Sequence, residues 1–102
     1  MVYLRLYGAG IFYQEGDMEM ETRIALIGII LENRESVDTL NHLLSEYGEY
    51  VIGRMGIPYR EKGIHVISVA MDAPGSVISA LSGKLGMLPG VSTKTIYGKN
   101  IC

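Results

Sequence analysis

Short β-rich apolar runs alternate with segments of helical periodicity from Arg23 onward. Ile24 to Leu31 is an unbroken run of apolar residues and glycine, and it predicts the first strand. Asn33 follows as a candidate helix N-cap, and Gly48 provides a stop after the helix. Between them, apolar residues recur at helical spacing: Val37, Leu40, Leu43, Leu44 and Tyr47.

Two further strands are predicted in the middle of the chain. One runs from Tyr50 to Met55 and is broken by Gly56 and Pro58, and the other runs from Ile64 to Met71. The residues numbered 60–63 read Arg-Glu-Lys-Gly, which is typical of a polar turn. The pattern therefore predicts a hairpin.

The last third of the chain predicts a second helix and a final strand. Asp72 or Ala73 caps the helix, Pro74 takes an early helical position, and Gly86 ends it. Val91 to Tyr97 alternates and predicts the last strand. The order βαββαβ predicts an α+β, ferredoxin-like fold, with a four-stranded antiparallel sheet and both helices on one face.

The two central strands are apolar on both faces. Apolar residues occupy both parities of Ile24 to Leu31 and of Ile64 to Met71, whereas a sheet covered on one side alternates apolar and polar positions. Two helices cover only one face. We therefore expect a second subunit, in a homodimer or homotetramer, to stack on the other face or extend the sheet edge to edge. The alternative is that residues 1–20 fold back over it.

Composition narrows the classes of function. The chain has 102 residues, which suits one domain, and a net charge of −2. Residues 21–102 carry eight basic and eight acidic residues, so no basic patch indicates direct nucleic-acid binding. The one cysteine, Cys102, builds no disulfide framework and favours a reducing, cytoplasmic setting. The longest apolar run spans eight residues, too few to cross a membrane.

The start of the chain differs in composition from the rest. Residues 1–13 are apolar apart from Arg5, whereas residues 14–21 are acidic and include two methionines. The segment lacks the basic start, the long apolar run and the cleavage site of a signal peptide.

Two interpretations of this start remain open. Met18 or Met20 is the true first residue, or residues 2–7, which alternate, form a genuine extra strand. We divide the chain into an N-terminal extension, 1–20, and a ferredoxin-like domain, 21–102. We predict that the extension is dispensable for folding and for oligomeric state.

Five segments of the chain resemble one known family. They read RIALIGIILEN (23–33), NHLLSEYG (41–48), IGRMGIPY (52–59), LSGKLG (81–86) and GVSTKT (90–95). Together they resemble the small family of iron-only hydrogenase system regulators. The resemblance covers residues 21 to about 99 and leaves out the extension.

The resemblance implies a fold similar to ACT domains and to the C-terminal sensing domain of nickel-responsive regulators. It implies a ligand-sensing homo-oligomer whose partners are its own copies and a small-molecule effector or a regulatory protein. Unless residues 1–20 contribute a strand, the sequence shows no helix-turn-helix or ribbon-helix-helix region, so we expect the protein to act without its own DNA-binding domain. Two alternatives remain: a protein-interaction or assembly module without a ligand, and a small oligomeric enzyme.

Arg54 and Tyr59 are two candidate ligand-binding residues of the hairpin. Gly53 and Gly56 flank Arg54 closely, and their backbone could approach a ligand. The guanidinium could hold a carboxylate or phosphate by two parallel hydrogen bonds. The alternative is a twisted hairpin in which Arg54 forms an intersubunit salt bridge.

Asn33 and Asn41 are the other two candidate ligand-binding residues. Asn33 lies where the first strand meets the first helix, a loop at which ACT-like domains often bind ligands and where helix N-termini attract anions. Its alternative role is an ordinary N-cap. Asn41 follows Val37 by one turn and lies near Leu40 and Leu44, at the border of the predicted core.

The sequence offers few groups for metal binding or catalysis. His65 lies in the third strand and His42 is expected to face solvent, and beyond them the chain offers only Cys102 and carboxylates. It contains no Gly-x-Ser-x-Gly elbow and no Cys/His pair at a useful spacing. We therefore expect no metal, no cofactor and no enzymatic activity.

Overall fold

A computed structural model of the protein describes residues 3–6 and 21–99, and within them it contains five strands and two α-helices. The strands are β1 (Tyr3–Leu6), β2 (Thr22–Leu31), β3 (Val51–Tyr59), β4 (Ile64–Pro74) and β5 (Val91–Tyr97). The helices are α1 (Val37–Glu46) and α2 (Gly75–Gly86). Short 3-10 turns precede and follow α1, at Arg34–Ser36 and Gly48–Tyr50.

The strands form one antiparallel sheet in the order β1-β3-β4-β2-β5. The four strands from β2 onward have the order and helix connections of a ferredoxin-like βαββαβ fold, which confirms the predicted fold class. Central strand β2 pairs with β4 along its full length and with β5 along most of it.

A single core fills the space between the sheet and the two helices. Alternate residues of β2 are buried, and Ile27 lies opposite Val69 of β4 with neither side chain exposed. Both helices contribute to the same cluster, which places them on one face of the sheet, as predicted. Their buried residues are Leu40 and Leu44 of α1, and Ile78, Leu81 and Leu85 of α2.

The prediction that Gly56 and Pro58 end the second strand is wrong. Strand β3 runs through both of them to Tyr59. Strand β1 pairs with β3 only from Gly53 to Gly56, so Pro58 lies beyond it, at an edge with one neighbouring strand. Proline removes a backbone donor, and an edge position tolerates that loss.

The predicted cap of the second helix is also wrong. Asp72 and Ala73 pair with β2, and β4 continues to Pro74, which has an extended conformation and precedes the first helical residue, Gly75. Proline fits here because its missing N–H is one that a helix start leaves without an intrahelical partner. The predicted capping residue Asn33 caps the 3-10 turn that leads into α1.

The extension contributes strand β1, which pairs with the outer edge of β3. The rest of the extension, residues 1–2 and 7–20, lies outside the described residues, as does Cys102. The predictions about the true first residue and about dispensability therefore stay predictions. In the described part of the chain, neither helix has the length and apolar character needed to cross a bilayer.

Candidate functional site

Arg54 of β3 and Asn41 of α1 meet between the sheet and the helix. Arg54 lies opposite Val69 in the β3–β4 register, and Val69 belongs to the buried core, so Arg54 is on the helix face of the sheet. Its Nη2 donates a hydrogen bond of 3.1 Å to Oδ1 of Asn41. Arg54 is half-buried, whereas Asn41 is exposed one residue beyond the buried Leu40.

The sequence pattern gave no indication of one neighbour of Arg54. The β1–β3 register places Arg5 directly opposite Arg54. Cross-strand pairing joins residues that are far apart in sequence, and the composition of the extension alone does not say which strand it joins. This juxtaposition of two arginines is a property of the fold.

Asn33 lies in the loop between β2 and α1 and acts as a cap. Its Oδ1 accepts a hydrogen bond of 2.9 Å from the backbone N–H of Glu35. The start of β5 crosses this loop closely, because the N–H of Glu32 donates to the carbonyl of Gly90 at 2.7 Å. Asn33 is therefore held by local structure, and this contact network accounts for its position without a ligand.

Tyr59 is on the other face of the sheet from Arg54. It lies at the end of β3, an odd number of residues from Arg54, and it is 41% exposed. Its Oη donates a hydrogen bond of 2.7 Å to the Glu61 carboxylate, and this bond raises the pKa of Tyr59 above its ordinary value, with a smaller contribution from burial. Both residues line a shallow depression at the hairpin tip, together with Pro58 and Arg60.

Of the four predicted ligand-binding residues, the structure therefore brings two together. Asn41 and Arg54 are hydrogen-bonded, Asn33 caps a loop, and Tyr59 lies on the opposite face. Ligand binding by these residues stays a prediction.

The face of the sheet that the helices leave uncovered, here called the open face, is apolar. Register pairs assign its positions, because directly opposite residues of antiparallel strands share a face. Eight of its large apolar side chains are about 40% exposed or more. They are Ile24, Leu26, Ile30, Met55, Ile57, Tyr59, Val66 and Ile96.

The described residues contain no group of three or more His, Cys, Asp and Glu side chains arranged to hold a metal ion. His42 faces solvent, as predicted, with its Nε2 at 3.2 Å from the Glu46 carboxylate one turn along α1. His65 is half-buried opposite Leu31.

Lys84 of α2 contacts Tyr47, which follows α1, and so connects the two helices. Its Nζ donates to Oη of Tyr47 at 2.9 Å, and this hydrogen bond is the main reason that the pKa of Lys84 is raised. The ammonium also lies 5.2 Å from the centre of the Tyr47 ring.

Comparison with known proteins identifies the family. A sequence model described as "TM1266-like: Iron-only hydrogenase system regulator, putative" matches residues 23–95. The solved structure of the uncharacterized protein TM1266 from Thermotoga maritima is similar, with a TM-score of 0.75 and 32% sequence identity, over 78% of this chain and 100% of that chain. The search of curated proteins found no match. Since the family match spans well over half of the chain, the protein belongs to the TM1266-like family of iron-only hydrogenase system regulators.

Proposed function

We propose that this protein is a non-enzymatic, ligand-sensing regulatory domain of the iron-only hydrogenase system that works as a homo-oligomer. The observation that carries the proposal is the open face. The family's description as a regulator supports the regulatory role. The described helices pack on the sheet and form no helix-turn-helix, so regulation here proceeds through subunit association and an effector.

The size of the open face fits one side of a protein interface. The exposed parts of its eight large apolar side chains amount to roughly 700 Å², close to the ~800 Å² that each partner contributes to a standard interface. They form one patch across four neighbouring strands. Apolar patches of this size on soluble proteins typically mark interaction sites.

A second copy of the chain is the occupant that the charges favour. The strand positions of the open face include one acidic residue, Asp72, and one basic residue, Lys94. Leu26 lies about midway between them in the register. A twofold axis lying parallel to the two stacked sheets near Leu26 would pair each Asp72 with the partner's Lys94, as self-complementary dimer interfaces require.

The test is the mass of the protein in solution. Light scattering at micromolar concentration should give a mass above one chain. Leu26→Glu places a charge at the centre of the open face and should give a folded monomer. Met87→Glu is the matched control, because Met87 is 83% exposed and lies after α2 rather than in the sheet. A monomeric wild-type chain, or an unchanged mass for Leu26→Glu, would contradict the proposal.

The sensing part of the proposal is tested separately. The Arg54–Asn41 pair is the polar pair that supports it, since Arg54 is half-buried beneath α1. A ligand that prefers the folded state raises the melting temperature, so metabolites, nucleotides and divalent metals should be screened by thermal shift. A stabilising compound whose effect is lost in Arg54→Ala, with the oligomer retained, supports sensing. If no compound stabilises an intact oligomer, the protein is an assembly module.

A further inference from the structure

The outer edge of β5 is a regular strand edge without a partner strand among residues 3–6 and 21–99. On its inner side β5 pairs with β2 in an unbroken register, and it contains neither a proline nor a bulge. The opposite edge of the sheet differs, because β1 covers part of β3 and Pro58 lies in the uncovered part. Natural proteins usually blunt a free edge, because it pairs readily with another strand. An edge of this regularity therefore points to a partner strand.

The hydrogen bonds between β5 and β2 show which backbone groups point outward. The N–H of Gly98 donates to the carbonyl of Ile24 at 2.8 Å, and the N–H of Glu32 donates to the carbonyl of Gly90 at 2.7 Å. Both pairs continue the β2–β5 register, and hydrogen-bonded pairs recur at every second residue of an antiparallel ladder. Even-numbered residues of β5 therefore direct their N–H and C=O groups toward β2. The odd-numbered residues direct theirs outward: Thr93, Thr95 and Tyr97.

Two copies of this edge are complementary to each other in one register. A twofold axis perpendicular to the sheet at Thr95 would place Thr95 opposite the same residue of a second chain. Thr93 of each chain would then lie opposite Tyr97 of the other chain. All three pairs use outward-pointing groups, so together they would exchange about six backbone hydrogen bonds.

A shift of this register by one residue is less favourable. With the axis at Thr95, Lys94 lies opposite Ile96 of the second chain. With the axis at Lys94, two lysines would lie directly opposite each other, and like charges in that position are destabilising. The shifted register would also use the N–H of Val91, which already donates to the carbonyl of Leu88.

The side of α2 above this edge is made of small residues. Thr95 donates a hydrogen bond of 3.3 Å to Oγ of Ser82, and a Cβ built on Gly86 would lie 3.8 Å from Oγ1 of Thr93. Ser79 shares this side by helical spacing and is exposed. Pairing through β5 would bring the two α2 helices to roughly 10 Å apart, a distance that small contact residues allow. A second copy covers this side of the helix, whereas a lone peptide strand leaves it bare.

We infer that a second copy of the chain pairs antiparallel with β5 through its own β5, with the two α2 helices side by side. This contact is separate from the open face, because its axis is perpendicular to the sheet and the open-face axis is parallel to it. Two perpendicular twofold axes are the arrangement found in D2 tetramers. The contact is small, so it is weak between single chains and adds to an oligomer held by the open face.

The test uses full-length Leu26→Glu, the variant expected to be monomeric at micromolar concentration. Sedimentation from about 10 µM to about 1 mM should show a mass that rises from one chain to two, with a Kd of about 0.1–1 mM. Thr95→Pro in this background should abolish the dimer, because proline lacks the outward N–H at the axis. Thr95→Val is the matched control: it also removes the hydroxyl that contacts Ser82, but it keeps the N–H.

A second pair of variants leaves the backbone of β5 unchanged. Ser79→Arg places a long side chain between the two helices and should weaken association at least about tenfold. Ala80→Arg is its control, because Ala80 is exposed about 100° further around the same helix and should leave association unchanged. If Thr95→Pro does not fold, this pair decides.

Three results would overturn the inference. They are a Leu26→Glu variant that stays monomeric at about 1 mM, equal association of Thr95→Pro and Thr95→Val, and equal association of Ser79→Arg and Ala80→Arg. The proposed function fails separately: a wild-type chain that is monomeric at micromolar concentration would contradict the open-face oligomer, while association of Leu26→Glu at higher concentration would still support pairing through β5.

Discussion

The contact of Gly90 with Asn33 shows how a single residue can fix the meeting of two elements. Gly90 has a positive φ of 73°, and a Cβ built on it would lie 2.8 Å from the backbone nitrogen of Asn33. The turn before β5 therefore requires glycine for its conformation and for the space it leaves. Position 90 thus holds the β2–α1 loop against the start of β5.

Gly90→Ala should lower the free energy of unfolding by about 2 kcal/mol or more, because it adds both backbone strain and a clash with the main chain. Gly83→Ala is the matched control: it lies within α2 with nothing within 4 Å of its would-be Cβ, and it should stabilise by up to ~1 kcal/mol. Urea denaturation measures both. Equal effects of the two substitutions would show that the loop adjusts around a larger residue.

The Asn41–Arg54 hydrogen bond should appear as a coupling between the two residues. The bond is charge-assisted because its donor is a guanidinium, but water competes for it where Asn41 is exposed. We therefore expect a coupling energy of about 0.5–1 kcal/mol. Urea denaturation of Asn41→Ala, Arg54→Ala and the double variant gives this value directly. Strictly additive single effects would mean that the bond contributes nothing to folding.

Sequence reasoning at this scale succeeded where the cause was local. Asn33 was predicted as an N-cap and acts as one, because capping depends on the next two or three residues. Asn41 was predicted at the border of the core, but it is exposed, and only its neighbour Leu40 is buried. The opposition of Arg5 and Arg54 was not predictable, because it depends on which strand the extension joins and in which register.

At the scale of elements, β2 carries two different surfaces on one strand. Ile29 is 1% exposed beneath the helices, whereas its neighbour Ile30 is 40% exposed on the open face. The sequence shows both as apolar and cannot say which parity meets the helices. Strand ends were also less predictable. Pro58 is tolerated because it lies in the part of β3 beyond its pairing with β1, and this depends on the topology of the sheet.

Ile29→Ala should lower the free energy of unfolding by about 2–5 kcal/mol, because it leaves a cavity in a packed core. Ile30→Ala should cost less than half as much. Both are best compared in the Leu26→Glu background, where association no longer contributes to stability. Urea denaturation gives the values. Similar losses for the two substitutions would mean that the open face is already packed within a single chain.

At the scale of the whole molecule, a complete four-stranded domain carries a fifth strand at one edge. The core of the described residues is built from β2 onward, and β1 adds four residues outside β3. The order of elements was predictable because each strand and helix has its own periodic signal. Which sheet edge receives the extension was not, since no local pattern encodes it.

A chain that begins at Met20 should keep a cooperative unfolding transition and the oligomeric state of the full chain. The family match starts at residue 23, and the whole of the TM1266 chain is covered by 78% of this one. A four-residue edge strand is worth little by itself, so we expect the melting temperature to change by no more than about 4–8 °C, which corresponds to roughly 1 kcal/mol in a domain of this size.

Thermal unfolding and light scattering of the shortened and full-length chains separate the roles of the extension. An unchanged mass with a small shift in melting temperature would show that the domain from β2 onward folds and associates without β1. Loss of the oligomer on truncation would instead assign the extension to the subunit interface. A much larger fall in melting temperature with the mass unchanged would show that the extension stabilises the fold of the single chain.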